Sequence, residues 1–412
     1  MMTVERAAEL FRNQAGSKFG DWFPAQLAVF DYWQDDKGHE QYGRDKLCVY
    51  YPTGKGKSKV MLTCIAIRGY TEVVVVTPPS TFPAWRTDAR ILGIGITLMS
   101  HTTFRMRKHK LSRSVPVIVD EYHLLGGPSK LGFKVMDRMA PGMKAPVIIG
   151  SATPNYNDAE RVYCIAHVLD PNGNRGGYPS WLYEHCITEP SRFSTIPIVH
   201  GFKNYSSAEE FLSQMDGVVY LPDDAPDILQ DVDMSRPMPD EFYEYNLDRR
   251  RKRIMASQME RSHQERLQQI IGPDGKVYPE VISMLCEIAA DTEKSLIVFA
   301  MHSKVSKALS ETLSEMGTLH AYVDGTQSTA NKEQQIQSFK NGTVDLLIGT
   351  ASMATGTDGL DKVCDVMVIL DDTSDDAARR QLVGRILPRG TEDPDYSKKK
   401  ALRFTYSERK GV

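Results

Sequence analysis

The chain has 412 residues, too many for one ordinary core and suited to two or three domains of about 100 to 200 residues each. Hydrophobic residues at 41% and charged residues at 25% are globular proportions, and no apolar run approaches the ~20 residues that span a bilayer. With 50 Lys and Arg against 53 Asp and Glu, the net charge of -3 does not advertise a polyanion partner, so any such surface must come from local clusters.

The first residues, Met1 to Phe11, carry Glu5 and Glu9 and have neither a long apolar core nor a small-residue cleavage site, so neither a signal peptide nor a membrane contact is expected and the location reads as cytoplasmic. Six cysteines (Cys48, Cys64, Cys164, Cys186, Cys286, Cys364) are scattered without a C-x-x-C pair, which points to reduced, partly buried thiols. Next, Trp22-Phe23-Pro24-Ala25-Gln26 precedes an amphipathic segment. A glutamine carboxamide can pair with both the amino group and a ring nitrogen of adenine, which makes Gln26 a candidate base reader, with Phe19, Trp22 or Phe23 as stacking partners or core.

An apolar run, Cys48 to Tyr51, reads as a buried strand and leads into Pro52, Thr53, Gly54, Lys55, Gly56, Lys57 and Ser58, after which Lys59 to Arg68 has helical character. Strand, glycine-rich loop and helix in this order form a phosphate cradle. Glycines let the backbone approach an anion, the amides of the following helix N-terminus point at it, Lys57 supplies charge and Ser58 can ligate magnesium. The wider G-x-x-x-x-G-K-[ST] spacing fails, because Tyr51 stands where the first glycine would be. Further strands are expected at Val73 to Thr77, Val115 to Val119 and Val147 to Ile149. Asp120-Glu121-Tyr122-His123 follows the third of these four strands, where an acidic pair meets the phosphate loop at the carboxyl edge of a parallel sheet. Asp120 would hold the metal through its water shell, and Glu121 would orient and deprotonate the attacking water. His123 has no His or Cys at ligand spacing, so it reads as a hydrogen-bonding link rather than a metal ligand. Ser151-Ala152-Thr153-Pro154 places two hydroxyls beside the acidic pair.

From about Pro171 to Val277 the pattern is less regular, with a hinge expected near Pro222 to Pro239 and a charged helix or helix pair over Asp240 to Ile271. The strand and helix alternation then resumes. Ser295 to Ala300, His320 to Val323, Asp345 to Ile348 and Val366 to Leu370 read as strands, and Lys304 to Met316 and Lys332 to Phe339 as crossover helices. Two α/β lobes in tandem are the economical architecture. Two basic clusters stand out, Arg105, Arg107, Lys108, Lys110 and Arg113 in the first lobe and Arg249 to Arg253 near the hinge; either could face a phosphate backbone or be a solvated face.

Phosphate loop, acidic box and Ser-Ala-Thr, in this order on adjacent strands, resemble superfamily-two helicases and translocases, which use the shorter Thr-Gly-x-Gly-Lys-Ser loop. Val76-Thr77-Pro78-Pro79-Ser80 with Trp85, and Leu98-Met99-Ser100-His101, look like the elements with which the Swi/Snf branch lines its DNA track. Gly201-Phe202-Lys203-Asn204 looks like the end of the first lobe in that branch, and the compact size resembles phage-encoded helicases of it. Asp324-Gly325-Thr326, Phe339, Thr350 to Asp358, then Gln381, Gly384, Arg385 and Arg389 are similar to the helicase C-terminal domain.

The resemblance implies an α/β fold of two tandem RecA-like lobes, each a mainly parallel sheet flanked by helices, with 1–225 the ATP-binding lobe, 226–276 a connector and 277–412 the C-terminal lobe. It implies ATP and Mg2+ as cofactors, held by Gln26, Thr53, Gly54, Lys55, Gly56, Lys57 and Ser58, with Gly356 and Asp358 near the nucleotide and Ser58 and Asp120 on the metal. Glu121, Asp120, Gln381, Arg385 and Arg389 would carry hydrolysis, and His123, Ser151 and Thr153 would couple it to movement. The family's arginine finger stands three residues after the Gly-Arg arginine, whereas Arg389 stands four after Arg385, so the two are taken to act together. Pro79, Ser80, Ser100, Arg105, Arg107, Lys108 and Thr350 would contact the nucleic acid. The expected function is an ATP-dependent DNA helicase or translocase on duplex or branched DNA, with an RNA helicase as the alternative. A P-loop enzyme acting on a small molecule has no use for the second-lobe residues, and a DNA-binding subunit without catalysis has no use for Lys57, Asp120, Glu121 and Arg385. Oligomeric state is left open, with a monomer compatible.

Overall fold

A computed structural model describes residues 2–14, 17, 19–34, 46–52, 54–106, 112–125, 143–152, 159–170, 176–191, 196–221, 226–234, 267–292, 294–350, 359–372, 376–388 and 395–406. The chain divides into a first unit that includes Met1–Asp224 and a second that includes Ala225–Pro388.

In the first unit, β1 (Lys46–Tyr50), β2 (Glu72–Val76), β3 (Gly95–Met99), β4 (Val117–Asp120), β5 (Val147–Ser151) and β8 (Val218–Tyr220) form one sheet in the order β3-β2-β4-β5-β1-β8, every neighbour parallel. Valine and isoleucine runs suit such a sheet because both faces are covered and neither needs polar side chains. Leu47, Val49, Val73 and Val75 pack under α1 (Val4–Arg12), α2 (Pro24–Gln34), α3 (Lys57–Ile67) and α4 (Phe82–Ile91). On the other face, Cys48, Tyr50, Val74 and Val76 pack under α6 (Ala159–Leu169), α7 (Gly177–His185) and α8 (Ala208–Ser213), and Phe104 of α5 (His101–Met106) joins them. A separate antiparallel hairpin joins β6 (Cys186–Glu189) to β7 (Ile198–Phe202).

The register decides where chemistry can gather. Tyr50 lies opposite Ser151, Asp120 opposite Gly150, and Val76 opposite both Val119 and Met99, so the carboxyl ends of five parallel strands form one row. Four expected strands of this lobe are present with ends shifted by one or two residues. Four strands, β3, β6, β7 and β8, were not anticipated; β3 alternates exposed and half-buried positions, with Met99 alone buried, and so does not read as a core strand.

The second unit repeats the plan with β10 (Ser295–Ala300), β11 (Ala321–Val323), β12 (Leu346–Gly349), β13 (Cys364–Asp371), β14 (Lys400–Thr405) and β9 (Leu229–Asp233), in the order β11-β12-β10-β13-β14-β9. All five pairings are parallel. Helices α9 (Pro279–Ala290) and α10 (Ser303–Glu315) cover one face, and α11 (Thr329–Lys340) and α12 (Asp376–Val383) the other. β9, in the stretch read from sequence as connector, is the edge strand of this sheet. Most of the stretch expected as a charged helix pair, from 240 to 266, lies outside the described residues. The two parallel sheets, each flanked by helices, are those of tandem RecA-like lobes. Among the described residues no helix is long and apolar enough to cross a membrane, and all six cysteines are free thiols, five of them buried.

Candidate nucleotide site and nucleic-acid interface

The phosphate loop runs from the end of β1 to the start of α3 and turns on two left-handed glycines, Gly54 at φ 85° and Gly56 at φ 74°. Gly56 is required twice over. Its φ is one that side chains avoid, and a Cβ there would meet Gln26 Nε2 at 2.8 Å. Gln26 is buried, its Oε1 accepting from the Phe23 amide at 2.9 Å and its Nε2 donating to the Lys55 carbonyl at 2.8 Å. A carboxamide offers two donors and two lone pairs on its oxygen, so one of each remains for a base after these two bonds. Gln26 thus also fastens the loop to α2. The cavity beside it, about 400 Å³, is lined among others by Phe11, Phe19, Phe23, Gln26, Gly54 and Gly56. Phe19 packs on Phe11 and Trp22 while lining this cavity. Trp22 is core, buried and donating to the Val4 carbonyl. Lys57 Nζ donates to the Tyr51 carbonyl at 3.0 Å, which keeps the ammonium over the loop. Thr53 lies outside the described residues.

The acidic pair sits at the end of β4, with Asp120 and Glu121 both buried. Glu121 takes φ 49°, a left-handed conformation that costs a non-glycine residue on the order of 1 kcal/mol or more. Its amide donates to Asp120 Oδ1 at 3.1 Å, and its carbonyl accepts from Leu124 in the 3-10 turn Tyr122–Leu125. The strain aims the Glu121 side chain toward β5. His123 Nδ1 donates to Ser151 Oγ at 3.0 Å, and that hydroxyl donates to Glu121 Oε2 at 3.4 Å, with His123 Nδ1 itself 3.5 Å from Glu121 Oε2. The three form a chain across two adjacent strands. Burial and the neighbouring Glu121 charge push the Asp120 carboxyl well above the usual carboxylate range, against the opposing pull of Lys57 and of the Thr77 hydroxyl. A hard divalent cation would relieve that repulsion, and an oxygen donor set of Asp120 and Ser58 with phosphate suits magnesium. Among the described residues there is no group of three or more His, Cys, Asp or Glu that could hold a metal. Bound there, magnesium would neutralise charge on the phosphates.

Sequence reasoning missed two supports. Thr77 Oγ1 donates to Asp120 Oδ2 at 3.2 Å, and buried His101 donates from Nε2 to the Asp120 carbonyl at 2.8 Å. A carbonyl has no proton, so Nε2 must carry it; burial lowers the His101 pKa and keeps the ring neutral. Both residues lie in segments quoted above as track elements, but only the register of β2, β3 and β4 brings them to the acidic pair.

Among the expected track residues, Pro79 and Ser80 are exposed in the 3-10 turn Pro79–Thr81. Ser100 Oγ accepts from the Thr103 amide at 3.0 Å and so caps α5. Arg105 donates to the Leu124 carbonyl, which ties α5 to the turn after the acidic box. In the second unit Thr350 is buried at the end of β12, its amide donating to the Val323 carbonyl at 3.2 Å. Gln381 on α12 and Arg385 in the turn beyond it are buried. Asp372 pairs with Arg379 at 2.7 Å and Arg403 at 3.3 Å, and Asp371 with His302. Arg107, Lys108, Thr153, Gly356, Asp358 and Arg389 lie outside the described residues.

A glycine-rich loop, an acidic pair and a hydroxyl link gather at one sheet edge of the first unit, and a second parallel-sheet unit follows in the chain. Residues 280–389 match the helicase conserved C-terminal domain. Among solved structures, the chain is similar to S. cerevisiae Dbp5 bound to RNA and ADP BeF3, with a TM-score of 0.55, 14% identity, and coverage of 95% of this chain and 85% of that one. It also matches the Sulfolobus solfataricus SWI2/SNF2 ATPase core in complex with dsDNA, at a TM-score of 0.38, 15% identity, and coverage of 94% and 88%. No curated protein matches it in sequence. The chain is an ATP-hydrolysing enzyme of two tandem RecA-like lobes, with a helicase C-terminal domain over residues 280–389.

Proposed function

We propose that the chain is a motor that couples ATP hydrolysis to movement along a nucleic acid, and that its track is RNA. The observation that carries the motor reading is the convergence of Lys57, Asp120, Glu121, His123 and Ser151 on one sheet edge in a chain whose second unit matches a helicase domain. The adenine ring is read by Gln26 in the cavity beside the loop, and Gly54 to Ser58 take the phosphates. Asp120 and Ser58 hold magnesium. Glu121, aligned through Ser151 and His123, takes a proton from the attacking water. Arg385 and Arg389 stabilise the charge that develops on the transferred phosphoryl group. Pro79, Ser80, Ser100 and Thr350 contact the backbone, so sequence preference is weak and affinity falls steeply with salt.

Support for RNA comes from the overlay of the fold on an RNA-bound helicase at a TM-score of 0.55. The second reading, duplex DNA, is favoured by the first-lobe sequence elements Val76 to Ser80 and Gly201 to Asn204. ATPase rates with single-stranded RNA, single-stranded DNA, duplex DNA and a four-way junction as activators test both. RNA stimulation with little response to duplex DNA is expected; the reverse order selects the DNA reading, and equal unstimulated rates reject the motor.

A further inference from the structure

The pair Thr77 and Thr81 belongs to neither the phosphate loop nor the acidic box, yet it touches the second. β2 ends at Val76, and the chain passes through Thr77 and Pro78 into the turn that exposes Pro79 and Ser80. Thr77 is fully buried, its Oγ1 3.2 Å from Asp120 Oδ2 and 2.7 Å from Thr81 Oγ1. Thr81 Oγ1 is in turn 2.8 Å from the Pro78 carbonyl, which also accepts the Thr81 amide at 3.0 Å and so closes the turn.

Two hydroxyl protons must serve these three contacts. When Thr77 donates to Asp120, Thr81 donates to Thr77, and the Pro78 carbonyl keeps only the amide. When Thr81 donates to Pro78 instead, Thr77 must turn its own proton toward Thr81 to hold the 2.7 Å contact, and Asp120 loses a donor. The same heavy atoms therefore support two proton arrangements, one with a charge-assisted bond to the acidic pair and one without. A contact at Pro79 or Ser80 that tightened or opened the turn would change how well the Pro78 carbonyl competes for the Thr81 proton. Because His101 pins the Asp120 main chain, the effect falls on the carboxylate.

We propose that the Thr77–Thr81 hydroxyl pair relays occupancy of the Pro79–Ser80 turn by a nucleic-acid backbone to Asp120, which makes both threonines positioning residues for nucleic-acid-stimulated hydrolysis. The relay rests on the motor reading above. It supplies what a physical coupling path needs, an element with two discrete states that both sites bias.

The test measures ATPase with and without saturating single-stranded RNA or duplex DNA, whichever stimulates the unmodified protein more, together with affinity for that nucleic acid. Thr81→Val should keep the unstimulated rate and the affinity and lose about tenfold of the stimulation, or about 1.4 kcal/mol. Thr81→Ser, which restores the hydroxyl, should recover it. Full stimulation of Thr81→Val overturns the relay while leaving the motor intact, and so does a variant whose only defect is weaker nucleic-acid binding. If the unmodified protein responds to no nucleic acid, the motor reading fails and the relay with it.

Discussion

Asp120 in the first unit and Asp365 in the second are buried to a similar degree, 9% and 6% exposed, yet their carboxyls move in opposite directions. Burial raises both. Asp120 has Glu121 beside it and only Lys57 and hydrogen bonds to offset that charge, so it ends high. Asp365 accepts from Lys399 at 2.7 Å and Lys294 at 3.1 Å, and the two ammonium groups bring it below its ordinary value. Lys399 also donates to the carbonyls of Asp361, at 2.5 Å, and Cys364, at 2.8 Å, so this cluster at the start of β13 is satisfied from within. The first unit leaves like charges together at its sheet edge, which is useful only if something else supplies the positive charge. Burial alone does not mark a functional carboxylate; the company it keeps does.

The largest test of this contrast is Arg385→Ala. If the second unit serves hydrolysis as well as structure, the ATPase rate falls by about 10³- to 10⁵-fold while nucleotide binding persists, measured by steady-state kinetics and equilibrium titration. An unchanged rate would confine the chemistry to the first unit. Glu121→Gln keeps the shape of the acidic box and removes its proton acceptor, so turnover should drop about 10²- to 10⁴-fold with little change in ATP affinity. Lys399→Met leaves Asp365 with Lys294 alone and should cost the second unit about 3 kcal/mol, read as an earlier urea transition. A transition that does not move would mean that the cluster is as replaceable as a surface pair.

The smallest expected effect is on pH dependence, and its sign separates the two aspartates. Asp120 has its folded pKa raised, so its burial costs stability as pH rises above its ordinary value near 4 toward the folded value. Asp120→Asn should therefore raise the melting temperature at neutral pH while abolishing hydrolysis, and the gain should vanish below about pH 4. Asp365 has its folded pKa lowered, so its contribution is complete above its ordinary value and is lost as pH falls through the folded one. Asp365→Asn should lower the melting temperature at neutral pH and do less in acid.

Legibility in the sequence followed local signal. Apolar runs of β-branched residues marked eight strands, because strands buried on both faces carry no polar interruption. Strands β8, β9 and β14 are short or half exposed and carry no such run. The phosphate loop and acidic pair were readable because glycine, lysine and carboxylate positions are fixed within a few residues of one strand end. Gln26 was read from the sequence as a candidate base reader, but its clamp on Lys55, a contact between residues 29 positions apart, had no local signal.

Residue order alone determined that two α/β units follow one another and that the first carries a glycine-rich loop and an acidic pair at strand ends, since strand length, hydrophobic alternation and loop chemistry are local properties of the chain. Only the tertiary structure decided that Thr77 and His101 meet at that pair and that Ser151 stands between Glu121 and His123. Their approach depends on which strands lie side by side and in what register, and pairing between distant strands is set by the packing of whole faces, which no short stretch of sequence encodes.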